Sequence, residues 1–387
     1  MQPQFNVSMV KAQNRLTVFN QLVKAGEITR MDLARRCGVS VGTVVTILDE
    51  LARAGAVVEQ KDSRASIGRR PHVVKPIGSG RHLLAIDLAS RTVRYECLDL
   101  ELRTAGWGQY RFDETLTAEE NLDRMLGEAK EFLSAIGVVE RRLIGVSVSV
   151  PGSYRESSDT IEQAAFPELH AVNPRALVAG HFKSPVYIDH DVFLSARAEL
   201  PYIADYQAKN VFYLFLGEGI GGALATHGRL YRGARDDAGD IGHIRLNGQR
   251  TLEELVSWNR LVEFAVESAP ESAADVREYL ATEFSQPASG VRECVLESCE
   301  YIALGIQNLF WIVDPDAIVL AGEYQLFGEE LRAAIVRKLA HYLDERLLES
   351  LDIRLSRHGS RGALVGAGEL ARERWLTGDS WQHPAPQ

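Results

Sequence analysis

The sequence predicts a mixed α/β chain in which an N-terminal winged helix-turn-helix precedes a larger α/β body. Three observations predict it: two capped helices at helix-turn-helix spacing between Thr29 and Ala54, a switch of charge sign along the chain, and strands that alternate with helices and glycine turns from Leu83 onward. The 387 residues suggest two or three domains, and 45% hydrophobic residues is ample for a globular core. The formal net charge of −10 argues against nucleic-acid binding only as an average. Residues 1–77 hold 12 Lys+Arg against 6 Asp+Glu, a balance of +6, and the remainder holds 31 against 47, a balance of −16. A basic, DNA-contacting end on an acidic body produces this asymmetry.

In chain order, Leu16, Phe19, Leu22 and Val23 recur at helical spacing, and Gly26 closes that first helix. Thr29 N-caps a second helix, Arg30 to Cys37, which Gly38 ends where a left-handed backbone is wanted. Ser40 caps a third, in which Val44, Ile47, Leu48 and Leu51 fall at i, i+3, i+4, i+7 and face the core. That phase leaves Val41, Gly42, Thr43 and Thr46 on the outer face near the N-terminal end, the part of a recognition helix that meets base edges. Small residues permit close approach, and Thr can bond a base or touch a thymine methyl. A short strand, 56–58, a polar turn, 59–68, and a return strand near 72–74 complete the wing. Arg64, Arg69 and Arg70 suit phosphate or minor-groove contact, and Pro71 stiffens the exit. The competing reading of these arginines is a solvated basic loop.

Gly78-Ser79-Gly80 reads as a flexible joint within a linker at 78–82, and a new domain begins with the strand around Leu83 to Ile86. Strands follow through Leu100, then a helix at 118–136 and a strand at 143–150 ending in Pro151-Gly152. A strand at 186–188 leads into Asp189-His190-Asp191 and a helical stretch through Leu200, and a strand at 211–216 opens into Gly217-Glu218-Gly219-Ile220-Gly221-Gly222. A helix is expected over Leu252 to Val266. Ile302, Ile306, Leu309 and Val313 form an apolar helical face before the strand 317–320, and a last helix starts at Gly362. Residues 377–387 have the composition of a loose tail. Alternation of this kind implies an α/β architecture with a binding cleft.

The order Asp87, Pro151-Gly152, Asp191, Gly217 to Gly222, Arg232-Gly233-Ala234, Gly239-Asp240-Ile241-Gly242-His243 and Ala321-Gly322 resembles the ROK family of sugar kinases and sugar-responsive repressors. The resemblance covers nearly the whole chain, because the family's repressors also carry a winged helix ending in a Gly-Arg-Arg-Pro-like turn, here Gly68-Arg69-Arg70-Pro71. It implies a two-lobed, actin-like or hexokinase-like ATPase fold over 83–376, preceded by the winged helix of 1–77, with a sugar in the cleft near Asp191 and Asp240. In the family's kinases the aspartate at the position of Asp191 is the general base, and its preceding neighbour, here His190, is usually asparagine. Asp240, His243 and Glu253 match the positions that hold sugar hydroxyls. Carboxylates and imidazoles suit that task, since a buried hydroxyl without a partner is penalised. Each has a plainer alternative: Asp191 as a helix cap, His190 as a space filler, His243 as a packed histidine, Glu253 as an exposed charge.

The departures from the family pattern point away from catalysis. Where the kinases carry a phosphate-cradling Asp-Leu-Gly-Gly-Thr, this chain reads Asp87-Leu88-Ala89-Ser90-Arg91-Thr92, so side chains replace the glycines that admit a polyphosphate. Glu218 places negative charge in the second glycine turn. The family's zinc site needs thiolates after the histidine, and 244–253 contains no cysteine, so no structural zinc and no cofactor are expected. Cys37, Cys97, Cys294 and Cys299 show no metal spacing, which with the lack of a signal-like segment reads as a reducing cytoplasm. No apolar run reaches the roughly 18 residues a membrane helix needs. The sequence therefore leads to a non-enzymatic regulator with operator DNA and a sugar as partners, acting as a homodimer or dimer of dimers. An ATP-dependent sugar kinase with an added DNA-binding domain is the alternative.

Overall fold

A computed structural model of the chain describes residues 7–61, 72–162, 166–246, 248–268 and 275–378. The chain divides into two compact units, residues 1–189 with 367–387, and residues 190–366.

The first unit opens with α1 (Val7–Ala25), the short strand β1 (Ile28–Thr29), α2 (Arg30–Cys37) and α3 (Val41–Arg53). Local chemistry sets these boundaries. The Thr29 hydroxyl accepts from the Asp32 amide, Gly38 takes φ 66° and closes α2, and the Ser40 hydroxyl accepts from the Thr43 amide to start α3. Val44, Ile47, Leu48 and Leu51 are buried, as their spacing requires. β2 (Val57–Lys61) and β3 (His72–Pro76) pair antiparallel, with Val58 opposite Lys75, and β1 joins the far edge of β3 to give the order β1-β3-β2. Arg64, Arg69 and Arg70, expected on the turn of the wing, lie outside the described residues.

The joint differs from the flexible linker expected at 78–82. Gly78–Gly80 form a single 3-10 turn, Gly78 is buried, and β4 begins at His82. The glycines are there for contact rather than for freedom: a Cβ on Gly80 would lie 2.1 Å from the Gly55 carbonyl oxygen, and one on Gly78 would lie 2.4 Å from an Asp99 carboxylate oxygen. Arg81, only 8% exposed, donates to the carbonyls of Ala54 and Arg141. The N-terminal three-helix head is thus packed onto the rest of its unit.

Beyond the joint run β4 (His82–Asp87), β5 (Thr92–Asp99), β6 (Thr104–Arg111), α4 (Ala118–Ala135), β7 (Leu143–Val150), the hairpin β8 (Ser153–Arg155) and β9 (Thr160–Glu162), α5 (Pro174–His181) and β10 (Val186–His190). The sheet order is β10-β7-β4-β5-β6, with β4 parallel to β7 and antiparallel to β5. A capping box between Thr117 and Glu120 starts α4, which packs Leu122, Met125, Leu126, Ala129 and Leu133 into the core with the buried strand β7. The edge strand β6 escapes a reading of the sequence.

The second unit holds α6 (Asp191–Glu199), β11 (Asn210–Leu216), β12 (Ile220–Thr226), β13 (Arg229–Tyr231), α7 (Leu252–Val256), α8 (Trp258–Ser268), α9 (Val276–Phe284), α10 (Gly290–Val313), β14 (Ala317–Ala321), α11 (Gly328–Leu339), α12 (Glu345–Ser350) and β15 (Asp352–Leu355). Its sheet order is β13-β12-β11-β14-β15. β11 is antiparallel to β12 and parallel to β14, and β14 is parallel to β15. α10 buries Ile302, Ile306 and Phe310 among Leu214, Leu252, Leu320 and Leu331. The single helix expected over 252–266 is broken at Ser257. There the Trp258 amide leaves the helical pattern and donates to the Gly217 carbonyl at 2.7 Å. α13 (Gly362–Thr377) begins in this unit and ends in the first. Thr377, expected to open a loose tail, is still helical, and 379–387 lie outside the described residues.

Candidate functional site

All five side chains expected to hold a hydroxyl-rich ligand belong to the second unit, and each is attached to β12 or to an element packed on it. His190 stands at the N-cap of α6, and its Nε2 lies 3.1 Å from Asp191 Oδ1. The same Asp191 oxygen accepts from the Val192 amide at 2.7 Å, so Asp191 does part of the capping work that was its plainer reading. α6 packs against β12 at Gly221, where a Cβ would meet Val192 at an ordinary contact distance of 3.5 Å. The Gly239–His243 segment also packs against that strand. A Cβ on Gly242 would lie 2.0 Å from the Ile220 carbonyl oxygen. This brings Asp240 and His243 into a second pair, His243 Nδ1 3.1 Å from Asp240 Oδ2, with His243 71% exposed.

Glu253 is placed differently. Its Oε2 accepts from the Ile220 amide at 2.8 Å, so the carboxylate braces the start of β12 from α7. The structure therefore assembles two imidazole–carboxylate pairs and one carboxylate that holds their platform. Such pairs offer acceptors and a tautomer-dependent donor to a ligand with vicinal hydroxyls.

One neighbour of the site is not among the residues expected to hold a ligand. The Arg232 guanidinium lies 4.8 Å above the Phe193 ring, whose edge meets the His190 ring at a centroid distance of 5.5 Å. Arg232 belongs to a motif quoted for the resemblance, but its stacking depends on the fold.

The two loops whose sequence departs from the family's phosphate-binding pattern are each engaged by the chain's own side chains. In the first unit, Asp87 Oδ1 accepts from Ser149 Oγ at 2.9 Å and the Ala89 amide at 3.2 Å, and Ser90 Oγ accepts from the Thr92 amide. Arg91 is engaged by Glu168 at 2.7 Å and by the Phe166 ring. In the second unit, the Gly217–Gly219 turn has the Glu323 carboxylate against it, 2.1 Å from where a Gly217 Cβ would stand. Burial above all raises the Glu323 carboxyl above the usual range, and Glu218 adds in the same direction. Acidic groups here oppose a phosphate.

The face of α3 expected to meet bases is small and partly apolar. Val41 is 47% exposed, Gly42 is exposed, the Ser40 and Thr43 hydroxyls share a 2.8 Å hydrogen bond, and the Thr46 hydroxyl donates back to the Gly42 carbonyl. The hydroxyls of Ser40, Thr43 and Thr46 are thereby engaged within the helix's own first turns. Many nearby cations are tied within the head: Arg30 to Glu59, Arg35 to Asp32 and Lys75 to Glu27. Among the described residues no group of three or more His, Cys, Asp or Glu is arranged to hold a metal ion, and no helix is long and apolar enough to cross a membrane.

Residues 85–374 match the model of the ROK family. The chain is 26% identical to a xylose repressor of Caldicellulosiruptor bescii, over 93% of this chain and 96% of that one. Its fold is similar to that of the crystal structure of a ROK family transcriptional regulator described as a homolog of the E. coli MLC protein, with TM-score 0.77, 18% identity and coverage of 95% and 97%. A ROK family glucokinase from Streptomyces griseus, crystallised with glucose and AMPPNP, aligns with TM-score 0.62 and 20% identity over 75% of this chain and 99% of its own.

Proposed function

The chain belongs to the ROK family, and on that premise we propose that it is a sugar-responsive transcriptional repressor of carbohydrate uptake or catabolism genes. The observation that carries this reading is the full-length match to a protein named for repression, which takes in the helix-turn-helix head as well as the ROK body. Operator DNA meets Ser40, Val41, Gly42, Thr43 and Thr46 of α3, with Arg64, Arg69 and Arg70 on phosphate or the minor groove. The sugar is held by His190, Asp191, Asp240 and His243, and Glu253 keeps their platform in place. The chain works in the cytoplasm as a homodimer or dimer of dimers, because paired heads read paired half-sites. Binding of sugar shifts the population between two states of unequal operator affinity.

The second reading, an ATP-dependent sugar kinase, is favoured by the retained Asp191. Against it stand Ala89, Ser90 and the engaged Arg91 in the first loop, and Glu218 with Glu323 at the second. A thermal-shift screen of monosaccharides and sugar phosphates, followed by gel shifts on the promoter beside the protein's own gene, tests the repressor. The expected outcome is one sugar that raises the melting temperature and changes the gel shift. A coupled ADP-release assay over the same sugars tests the kinase, and turnover above about 1 s⁻¹ would replace the repressor reading.

A further inference from the structure

The chain crosses between its two units at two places, after Asp189 at the end of β10 and after Gly366 inside α13. The second crossing is one uninterrupted helix of 16 residues, about 24 Å long. Its first turns belong to the second unit, where they lie against α6, the helix that starts with Asp191. A Cβ on Gly366 would stand 1.8 Å from the Leu194 carbonyl oxygen, and one on Gly362 would stand 3.2 Å from the Ser195 side chain. The far end of α6 is tied to the same region. Buried Glu199 accepts from Ser356 Oγ at 2.5 Å and from the His358 amide at 3.0 Å, just before α13 begins.

The last turns of α13 belong to the first unit. Arg372 donates to the Leu100 carbonyl at 3.0 Å, and the Leu376 carbonyl accepts from Arg15 Nη1 at 2.7 Å. Arg15 lies on α1 of the DNA-reading head and is only 4% exposed. A guanidinium on the final carbonyls of a helix is favoured by the helix dipole, and with so little exposure water does not replace it. Its Nε lies 3.7 Å from Glu50 of α3, which also pairs with Lys11 of α1.

We propose that α13 is a relay and that Arg15 is its coupling residue. A displacement of α6 is carried along α13 to Leu376, then through Arg15 to α1 and through Glu50 to the recognition helix α3. The proposal rests on the repressor reading for what occupies the site, but its first test needs no sugar. Operator affinity is measured by fluorescence anisotropy on the promoter fragment beside the gene, for the full-length protein and for G362A, G366A, R15A and the two doubles. The glycine variants, placed in the other unit from the reading face, should change affinity by at least about threefold. In the R15A background that change should vanish. Equal fold-changes in both backgrounds, or glycine variants with unaltered affinity, would overturn the relay.

Where G366A fails to fold, G362A reads the same contact more gently. Where both fail, hydrogen exchange of the unaltered protein decides, with and without D-xylose or whichever screened sugar shifts its melting temperature. Changed protection in α1 and the last turn of α13 is expected, and unchanged protection there overturns the relay. A sugar response of operator binding that survives R15A in full refutes the relay and spares the repressor. Glycine–arginine coupling without any sugar response does the reverse.

Discussion

Replacing Glu253 separates a brace from a ligand contact. Its carboxylate accepts from the amide of Ile220, a residue 2% exposed at the first position of β12. Glu253→Ala leaves that amide without its acceptor and costs about 1–3 kcal/mol of local stability, while Glu253→Gln keeps an oxygen of similar reach. The neutral hydrogen bond retains about 0.5–1.5 kcal/mol of what the charged one supplied. The order of protection should therefore be Glu, then Gln, then Ala. Hydrogen exchange read on the peptide containing Ile220 tests this directly, because about 1–3 kcal/mol corresponds to roughly 5- to 150-fold in the opening equilibrium. Trp258, whose amide holds the Gly217 carbonyl, supplies a fluorescence probe of the same turn. Unchanged exchange at Ile220 in Glu253→Ala would refute the bracing role. Loss of sugar binding in Glu253→Gln with protection intact would make the carboxylate itself a ligand contact.

Other consequences follow from the same geometry. Asp191→Ala should abolish the sugar-induced thermal shift while ligand-free operator binding persists, and loss of both would mark a folding role. Ser40→Ala removes the cap that accepts from the Thr43 amide; chemical denaturation of the head should report about 0.5–2 kcal/mol, with weaker operator binding beside it. Burial holds the imidazoles of His82 and His358 below the usual histidine range, with Arg142 adding to the effect at His82 and Arg357 and Arg361 at His358, while Asp99 and Glu199 oppose it. The unfolded chain takes up these protons near pH 6.5 and the folded chain resists them. Their stabilisation is complete above about pH 6.5 and declines as the pH falls below it. Urea midpoints from pH 7.5 to 5 should fall for the unaltered protein and fall less for His82→Gln; identical slopes would remove His82 from the account.

Features with local causes were legible in the residues. Thr29, Gly38 and Ser40 bound α2 and α3 through hydrogen bonds that span three or four residues, and the apolar stripe of α3 follows from its period. Other features depend on distant partners. β6 carries Gly106 and Gly108 and looks like a loop; it is a strand because those glycines leave space for the rings of Phe132 and Tyr95. The glycines at 78–80 look like a hinge, yet Gly55 and Asp99 fill the space beside them. Arg232 reaches the site through Phe193, and no spacing of residues announces a stacking contact.

By itself the sequence determined the capped helices of the helix-turn-helix, several strands and helices of the body, and the residue types at positions 190, 191, 240, 243 and 253. These are encoded in caps, periods and motif order, each of which acts over a few residues. Only the tertiary structure decided that Glu253 supports Ile220, that Glu323 sits against Gly217, and that Arg15 grips the end of α13. Those outcomes depend on which backbone groups are left buried and on how closely two segments can approach, quantities that exist only once the chain has packed.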